Sequence, residues 1–302
     1  MKTLTVLFTF NRPLLLDNCL RSFWKFAPGN PLLILDDGSD DPVQKDVLSK
    51  AALQADTRVV KFEHDRNRRL GGLYANMAWS YRLALDEGMD YVHFLQDDQQ
   101  FLWHDPSFWS RCDELFQHCP SAYELTPGFD WLIFSHVHHK RSQWNAEAGC
   151  WKRLNSAFMA PGVFHVPRMH ENGWVFAESE VANHLQARAK GLELIASPAP
   201  SVGKVPSAPV RHAGRKHRKE MAPRKEFYLL PLDEQALTQL CQVPKSRPPL
   251  YEEYCIPWGW RAWAPYHYSN NLVKHLQNLR RWIKGNHFRS WPYRIGTESR
   301  KA

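Results

Sequence analysis

Two pairs of carboxylates stand where short apolar runs end, and these side chains are the best placed in the chain to do chemistry. One run leads into Asp36 and Asp37, and a later run leads into Gln96, Asp97 and Asp98. Apolar runs this short that follow helical patterns are typical of buried parallel strands, whose carboxyl ends form the ligand-binding edge of an open α/β sheet. Buried carboxylates are costly unless they are paired, hydrogen-bonded or bound to a cation. Two pairs at one edge therefore predict a site for a ribose, a base and a divalent metal.

The elements that must hold these carboxylates alternate between strand and helix patterns. Strands are predicted at 3–10, 31–35, 59–62 and 91–95, and helices begin at Pro13, Pro42 and about Leu73. Proline is favoured at the first helical position. The first helix has one apolar face, formed by Leu16, Cys19, Leu20 and Phe23, and the second helix carries Val43, Val47, Leu48 and Ala51. Strands separated by such helices predict an α/β, Rossmann-like fold with a mostly parallel central sheet flanked by helices.

Beyond Asp98 the alternation of strand and helix patterns is less regular. The predicted elements are a helix at 106–118, a strand at 131–135, a polar loop at 136–153, an extended stretch at 155–166, a helix at 178–190 and a strand at 192–196. The Pro-, Ser- and Lys/Arg-rich stretch 197–225 is predicted to be a loop or arm. We divide the chain into a domain at 1–225, with halves at about 1–105 and 106–225, and an irregular, partly helical extension at 226–302.

The charge of the chain is uneven. The 302 residues carry 39 Lys and Arg against 31 Asp and Glu, a formal net charge of +8. Residues 204–225 hold eight Lys or Arg against Glu220, and residues 261–301 hold nine against Glu298. This basic C-terminal third favours a phosphate-bearing ligand or an anionic membrane surface. Nucleic acid is not an expected partner, because the predicted sheet edge is acidic.

The compartment is predicted from the apolar runs and the cysteines. No run approaches the roughly 18 consecutive apolar residues that a membrane span requires. The short run from Lys2 to Phe10 is interpreted as the first strand and not as a signal peptide. The six cysteines form no C-x-x-C pair, which favours reduced thiols and a cytoplasmic protein.

The order of these motifs resembles the family 2 glycosyltransferases with a GT-A fold, over roughly residues 3–217. The matching features, in chain order, are Thr9-Phe10-Asn11-Arg12-Pro13 after the first strand, Asp36-Asp37-Gly38-Ser39-Asp40, Asn67 with Gly71-Gly72 before a helix carrying Asn76, Asp97-Asp98, a helix that starts at Glu178-Ser179-Glu180 and ends at Gly191, and His212. The resemblance implies transfer of a sugar from a nucleoside-diphosphate donor to a hydroxyl of a glycan or glycolipid, with Mn²⁺ or Mg²⁺ as cofactor. It further implies polysaccharide biosynthesis and inversion by single displacement.

The resemblance also assigns residue roles. Those implied for the sugar nucleotide are Thr9, Asn11, Arg12, Asp37, Asn67, Gly71 and Asp97. Asp98 is the expected metal ligand, and His212 is a further candidate, with His217 second. Gln96 departs from the family pattern, which has a carboxylate at that position. The cluster of His136, His138 and His139 has no Cys or carboxylate at ligand spacing, so an acceptor-side loop is its expected place.

A general base is needed as well, because the acceptor hydroxyl must lose a proton while the diphosphate leaves with its negative charge stabilised. Glu180 is the candidate base, and Glu178 is its close rival. A carboxylate in the first turn of a helix also interacts well with the helix dipole, which is the alternative role for either residue.

The C-terminal extension contains a second amphipathic pattern, at 270–284. Leu272, Val273, Leu276, Leu279 and Ile283 share one helical face, with Lys and Arg residues mostly elsewhere and several tryptophans nearby. The pattern is typical of a helix lying on an anionic membrane, here the inner face, and equally of a helix packed on the catalytic domain. Gln96 leaves open a catalytically silent GT-A domain that serves as a binding or scaffold protein.

Overall fold

The structure is a computed structural model that describes residues 1–62, 72–129, 142–154, 156–205, 229–242, 248–249 and 254. Its helices are α1 (Pro13–Phe26), α2 (Pro42–Ala51), α3 (Leu73–Asp86), α4 (Phe108–His118), α5 (Val166–Glu171), α6 (Glu180–Ala189) and α7 (Glu234–Cys241). Its strands are β1 (Thr3–Thr9), β2 (Leu32–Asp36), β3 (Thr57–Lys61), β4 (Tyr91–Gln96), β5 (Gln99–Phe101), β6 (Ala122–Thr126), β7 (Ser142–Asn145), β8 (Cys150–Arg153), β9 (Gly162–His165), β10 (Glu193–Ala196) and β11 (Val202–Lys204).

A nine-stranded sheet forms the centre of the described fold, in the order β3-β2-β1-β4-β9-β6-β10-β8-β7. The strands β3, β2, β1 and β4 are mutually parallel, and in the whole sheet only β9 and β8 run in the opposite direction. A separate antiparallel pair, β5 and β11, lies beside it. The predicted α/β class with a mostly parallel central sheet and flanking helices is confirmed.

Both faces of the sheet are buried, which explains the continuous apolar runs of its parallel strands. Along β1, Val6 and Phe8 belong to the core on the side of α3, and Leu7 belongs to the core on the side of α1 and α2. This alternation follows from the two-residue period of a strand. The central strands are therefore held by helices on both sides, and their carboxyl ends stay at one edge.

The first helices form as their patterns predict. In α1, Pro13 occupies the first turn, and the predicted apolar face is buried, as Leu16, Cys19, Leu20 and Phe23. In α2, the Asp41 carboxylate caps the N-terminus by accepting from the backbone of Val43 and Gln44. Val43 is 54% exposed, and the buried side of α2 is formed by Gln44, Leu48 and Ala51.

Five strands, β5, β6, β7, β8 and β11, were not predicted from the sequence. The polar loop expected at 136–153 is, from residue 142 onward, the hairpin of β7 and β8, in which Trp144 lies opposite Trp151. The stretch expected as a loop or arm from residue 197 contains β11, and β6 has no sequence prediction at all. Short strands depend on cross-strand partners, which local patterns do not reveal. The strand predicted at 131–135 lies outside the described residues.

Residues 229–242, which belong to the predicted C-terminal extension, pack on the rest of the described fold. Leu229, Leu232 and Leu240 share a buried cluster with Leu102 and Val205. The boundary predicted at residue 225 and the internal division near residue 105 remain predictions. None of the helices in the described ranges has the length and hydrophobicity needed to span a bilayer.

Candidate functional site

The carboxyl ends of β1, β2 and β4 bring the two acidic pairs to one edge of the sheet. Thr9 at the end of β1 lies opposite Asp36 on β2, and Phe8 lies opposite Gln96 on β4. The backbone N–H of Asp37 donates to the Thr9 carbonyl oxygen at 3.0 Å, so the loop after β2 is joined to β1. The loops that follow the three strands therefore surround one site.

Asp97 is almost fully buried and is held by the end of β1. Its carboxylate accepts from Thr9 Oγ1 at 3.0 Å, from the Phe10 N–H at 3.3 Å and from Arg12 Nη1 at 2.9 Å. Burial raises the pKa of the Asp97 carboxyl, and the neighbouring Asp98 adds to the rise, while Arg12 and Thr9 act against it. The contacts that Asp97 makes with the protein fix Arg12 at the sheet edge.

Asp98 is equally buried but is approached by two cations. Arg12 Nη1 and Lys204 Nζ each lie 3.4 Å from Asp98 Oδ2. Lys204 reaches this position because β11 pairs with β5, where it lies opposite Gln99, and because the Val205 N–H donates to the Asp98 carbonyl oxygen at 2.7 Å. Strand β11 thus adds a lysine to the acidic pair from a distant part of the chain.

The two carboxylates after β2 have different environments. Asp36 is buried and accepts from the backbone and the hydroxyl of Ser39. Burial raises the pKa of the Asp36 carboxyl, and these bonds oppose the rise. Asp37, half-buried, accepts from the Gly72 N–H at 2.9 Å and from Asn76 Nδ2 at 3.4 Å. Asp36 therefore shapes the turn, and Asp37 connects the sheet edge to the start of α3.

Asn11 joins the loops after β1 and β2. Its side-chain oxygen accepts from the N–H groups of Asp40 and Asp41, and its amide donates to the Asp40 carboxylate at 2.7 Å. Its backbone is left-handed, with φ of 46°, a conformation that asparagine tolerates better than most residues. These bonds use the Asn11 side chain to hold the two loops together, and a direct role towards a nucleotide stays a prediction.

Glu180 is the first residue of α6, whose N-terminus is capped by Ser179. The residue is exposed, yet surrounding protein atoms desolvate the carboxyl enough to raise its pKa, and the charge of Lys204 acts in the opposite direction. Lys204 therefore acts electrostatically on Glu180 while it pairs with Asp98. Glu178 is also exposed and precedes the helix.

A buried carboxylate supports the chain beside α6. Glu124 on β6 accepts from the Met159 N–H at 3.0 Å, and His184 of α6 accepts from the Ala157 N–H at 2.9 Å. Burial raises the pKa of Glu124 well above its usual range. The segment 157–159 is consequently fixed between β6 and the helix that begins with Glu180.

Several expected site residues lie outside the described part of the chain, namely Asn67, Gly71, His136, His138, His139, His212 and His217. Three others were not predicted from the sequence. Lys204 had only a weak signal, as the first residue of a basic stretch. Gln44 donates to Thr9 Oγ1 at 2.7 Å and accepts from the Arg12 N–H at 3.1 Å, and Glu124 supports segment 157–159. No local pattern distinguishes Gln44 or Glu124 from other polar residues in helices and strands.

The donor set at Asp97 and Asp98 fits a hard divalent cation. Mg²⁺ and Mn²⁺ prefer oxygen ligands, and Mg²⁺ is usually held by one or two carboxylates together with phosphates of the substrate. In the described residues no group of three or more His, Cys, Asp or Glu could hold a metal by itself. The carboxylate edge therefore suits a cation that a phosphate ligand helps to bind.

Comparisons with known proteins give likeness in structure only. No family model and no curated protein matches the sequence. TarS of S. aureus has 13% identity and a TM-score of 0.43, over 68% of this chain and 37% of that one. Mannosyltransferase PcManGT from Pyrobaculum calidifontis, solved in complex with GDP-Man and Mn²⁺, has 11% identity and a TM-score of 0.46, over 72% of this chain and 58% of that one. Both are glycosyltransferases, and this chain spans less than two thirds of the length of either.

Proposed function

We propose that this chain is a glycosyltransferase of the hexosyltransferase type that uses a nucleoside-diphosphate sugar. The observation that carries the proposal is the single sheet edge at which Asp37, Asp97 and Asp98 meet, with Lys204 linking Asp98 electrostatically to Glu180. Such a transfer needs a nucleotide pocket, positive charge on the diphosphate and a base for the acceptor hydroxyl. The sheet edge has candidate residues for each of these three requirements.

The donor pocket is proposed at the ends of β1 and β2. Asp37 would hydrogen-bond the nucleoside, and Thr9, Asn11, Arg12 and Asp97 would frame it. The Gly72 N–H and Asn76 orient the Asp37 carboxylate, which reduces the entropy lost when it binds a ligand. Asn67 and Gly71 retain their proposed roles in the same pocket.

Charge stabilisation of the leaving group is proposed on the side of Asp98. Asp98, with Asp97 beside it and His212 as a further candidate, would hold Mn²⁺ or Mg²⁺. When bound, the cation would supply positive charge to the diphosphate as it leaves. Arg12, fixed by its ion pair with Asp97, adds a permanent positive charge at the same place.

Glu180 is the proposed base, with Glu178 as the alternative. Its carboxylate would take the proton of an acceptor hydroxyl on a glycan or glycolipid, and single displacement would invert the anomeric centre. The raised pKa of Glu180 makes it a better proton acceptor than an ordinary surface carboxylate at neutral pH. The charge of Lys204 favours the ionised form of the Glu180 carboxyl and opposes the rise in its pKa.

The proposal is tested first by ligand binding and then by transfer. Thermal stability is measured with UDP, GDP, dTDP and CMP, with and without Mn²⁺, and a shift with one nucleotide identifies the donor class. Transfer from the matching sugar nucleotide is then measured in Asp98→Ala and Glu180→Gln, with Glu178→Gln as the matched control. We expect a loss of at least about 100-fold in the first two and little change in the third. Full activity in Asp98→Ala and Glu180→Gln would reject the site, and nucleotide binding without transfer would support the silent scaffold.

A place on the inner face of the membrane is proposed for the amphipathic pattern at 270–284, which lies outside the described residues. The basic residues of that stretch support it, because anionic lipids attract them. Cosedimentation with anionic vesicles at low salt is the measurement, and a protein that stays in the supernatant there would exclude membrane contact.

A further inference from the structure

One carboxylate oxygen of the site is shared by two cations. Asp98 Oδ2 lies 3.4 Å from Arg12 Nη1 and 3.4 Å from Lys204 Nζ. The Asp98 side chain is only 5% exposed, so water screens these contacts weakly. The same oxygen belongs to the residue expected to hold a divalent cation.

The Arg12 side chain is more tightly constrained than the Lys204 side chain. Arg12 is 13% exposed, makes a second and shorter contact of 2.9 Å with Asp97, and has its backbone N–H bonded to Gln44. The Lys204 side chain is 36% exposed and ends a flexible four-carbon stem. The backbone around Lys204 is anchored by β11, so its ammonium group can move while its Cα stays beside the site. Lys204 is therefore the cation that can leave Asp98.

A divalent cation and this ammonium group would repel each other at the shared oxygen. Metal–oxygen distances for Mg²⁺ are about 2.0–2.1 Å, so an ammonium group within hydrogen-bonding range of the same oxygen would stand a few ångströms from a doubly charged ion. At that separation the repulsion is large in a weakly screened site. Arg12, held by Asp97, has less freedom to retreat than Lys204.

We propose that Lys204 and the divalent cation compete for Asp98, and that the displaced lysine becomes a ligand of the donor diphosphate. The inference rests on the proposed function and adds a role for a residue that the sequence did not assign. An ammonium group is a compact charge with three donors, well suited to phosphate oxygens. The lysine thus neutralises Asp98 in the absence of metal and the diphosphate in its presence.

Replacing Lys204 should strengthen Mn²⁺ binding and weaken binding of the nucleoside diphosphate. Lys204→Met keeps most of the apolar stem and removes the charge. Mn²⁺ affinity, measured by calorimetry without nucleotide, should rise about tenfold because the competing cation is gone. At saturating Mn²⁺, affinity for the nucleoside diphosphate that stabilises the wild type should fall about tenfold. A lysine with a purely structural role would weaken both.

Two further variants serve as controls. Lys50→Met removes another lysine with a carboxylate partner, Asp46 at 2.7 Å on the exposed face of α2, and should change neither affinity. Lys204→Arg keeps the charge and should bind Mn²⁺ like the wild type. If Lys204→Met fails to fold, Lys204→Gln gives the same comparison.

The results that would contradict the competition differ from those that would contradict the proposed function. Unchanged or weaker Mn²⁺ binding in the charge-removing variant overturns the competition, and so does undetectable Mn²⁺ binding in both that variant and the wild type. Unchanged nucleoside-diphosphate affinity overturns the second role of Lys204. The proposed function fails on different measurements, namely the absence of nucleotide binding and of sugar transfer in the wild type.

Discussion

Arg12 sets the electrostatics of the acidic pair. Two adjacent carboxylates with almost no exposure repel each other, and burial penalises their charged forms. The guanidinium group contacts both Asp97 and Asp98 and offsets part of that cost. This arrangement makes Arg12 a structural requirement of the site whether or not it also touches a ligand.

Replacing Arg12 should therefore destabilise the fold. We expect Arg12→Ala to lower the free energy of unfolding by about 3 kcal/mol, because it leaves a buried carboxylate without its counter-charge. Denaturant titration measures this change in the free energy of unfolding. Arg12→Ala combined with Asp97→Asn should cost clearly less than the sum of the single changes. The control, Arg58→Ala, breaks an exposed pair with Glu87 and should cost about 0–1 kcal/mol. Equal costs for Arg12→Ala and Arg58→Ala would contradict this account.

The turn after β2 depends on backbone conformation as well as on its carboxylates. Gly38 has φ of 77°, and a Cβ there would stand 3.0 Å from the Phe62 carbonyl oxygen. Glycine adopts such a conformation without steric cost, and no other residue type avoids both the strain and the contact. Glycine at this position therefore favours the turn that places Asp37 against Gly72.

Two glycine substitutions separate strain from contact. Gly88 also has positive φ, of 64°, but nothing lies within 4 Å of a Cβ there. Gly88→Ala should cost about 1 kcal/mol in unfolding free energy from strain alone, and Gly38→Ala about 2 kcal/mol or more. Thermal unfolding of the two variants compares these costs. If Gly38→Ala costs no more than Gly88→Ala, the Phe62 carbonyl yields and the turn is less constrained than described.

Strand β4 carries a buried histidine away from the acidic pair. His93 packs among Phe101, Phe108 and Trp109, and its Nε2 has no hydrogen-bond partner in the described residues. Burial lowers the pKa of His93 to about 3. The folded state therefore holds this ring neutral where an unfolded chain would begin to protonate it.

The stability of the fold should depend on pH because the pKa of His93 differs between the folded and unfolded states. With a folded pKa of about 3 and an unfolded pKa of about 6.5, the contribution of His93 is fully present above pH 6.5 and is lost as the pH falls towards 3. At pH 5 the loss should be about 2 kcal/mol relative to pH 7. Chemical denaturation of His93→Gln should show a shallower decline over this interval than the wild type. The exposed His118→Gln should decline as the wild type does, and a parallel decline in all three would refute the assignment.

The predicted C-terminal extension is connected through β5 to the sheet edge that carries the acidic pair. Gln100 lies two residues after Asp98, and its side-chain amide donates to the Leu229 carbonyl oxygen at 2.7 Å and accepts from the Leu229 N–H at 3.0 Å. Leu229 itself is buried beside Leu102. These two bonds attach residue 229 to the strand that follows the acidic pair.

Gln100→Ala should loosen this connection. It leaves two buried backbone groups of Leu229 without partners, which we expect to cost about 2 kcal/mol and to speed proteolytic cleavage near α7. Limited proteolysis followed by mass spectrometry locates the cut. Gln143→Ala, at an exposed position of β7, is the matched control. Equal cleavage rates in the two variants would show that the extension is held mainly by its apolar contacts.

The amino-acid sequence by itself determined the parallel half of the fold. Apolar runs, proline at helix starts and acidic residues at strand ends are local signals, and they predicted β1, β2, β4, α1 and α3 together with the edge where the carboxylates meet. Local signals suffice there because strands buried on both faces are apolar throughout and because each helix turns one apolar stripe towards them.

Only the tertiary structure decided how that edge is charged and shaped. Asp36 and Asp37 are neighbours in sequence, yet the first ends a buried strand and the second faces Gly72. Lys204 meets Asp98, and Glu124 supports the chain beside α6, through strand pairing between distant segments. The physical reason is that short strands such as β6 and β11 gain their stability from partners far away in sequence, so neither their position nor the charges they bring is encoded in any local pattern.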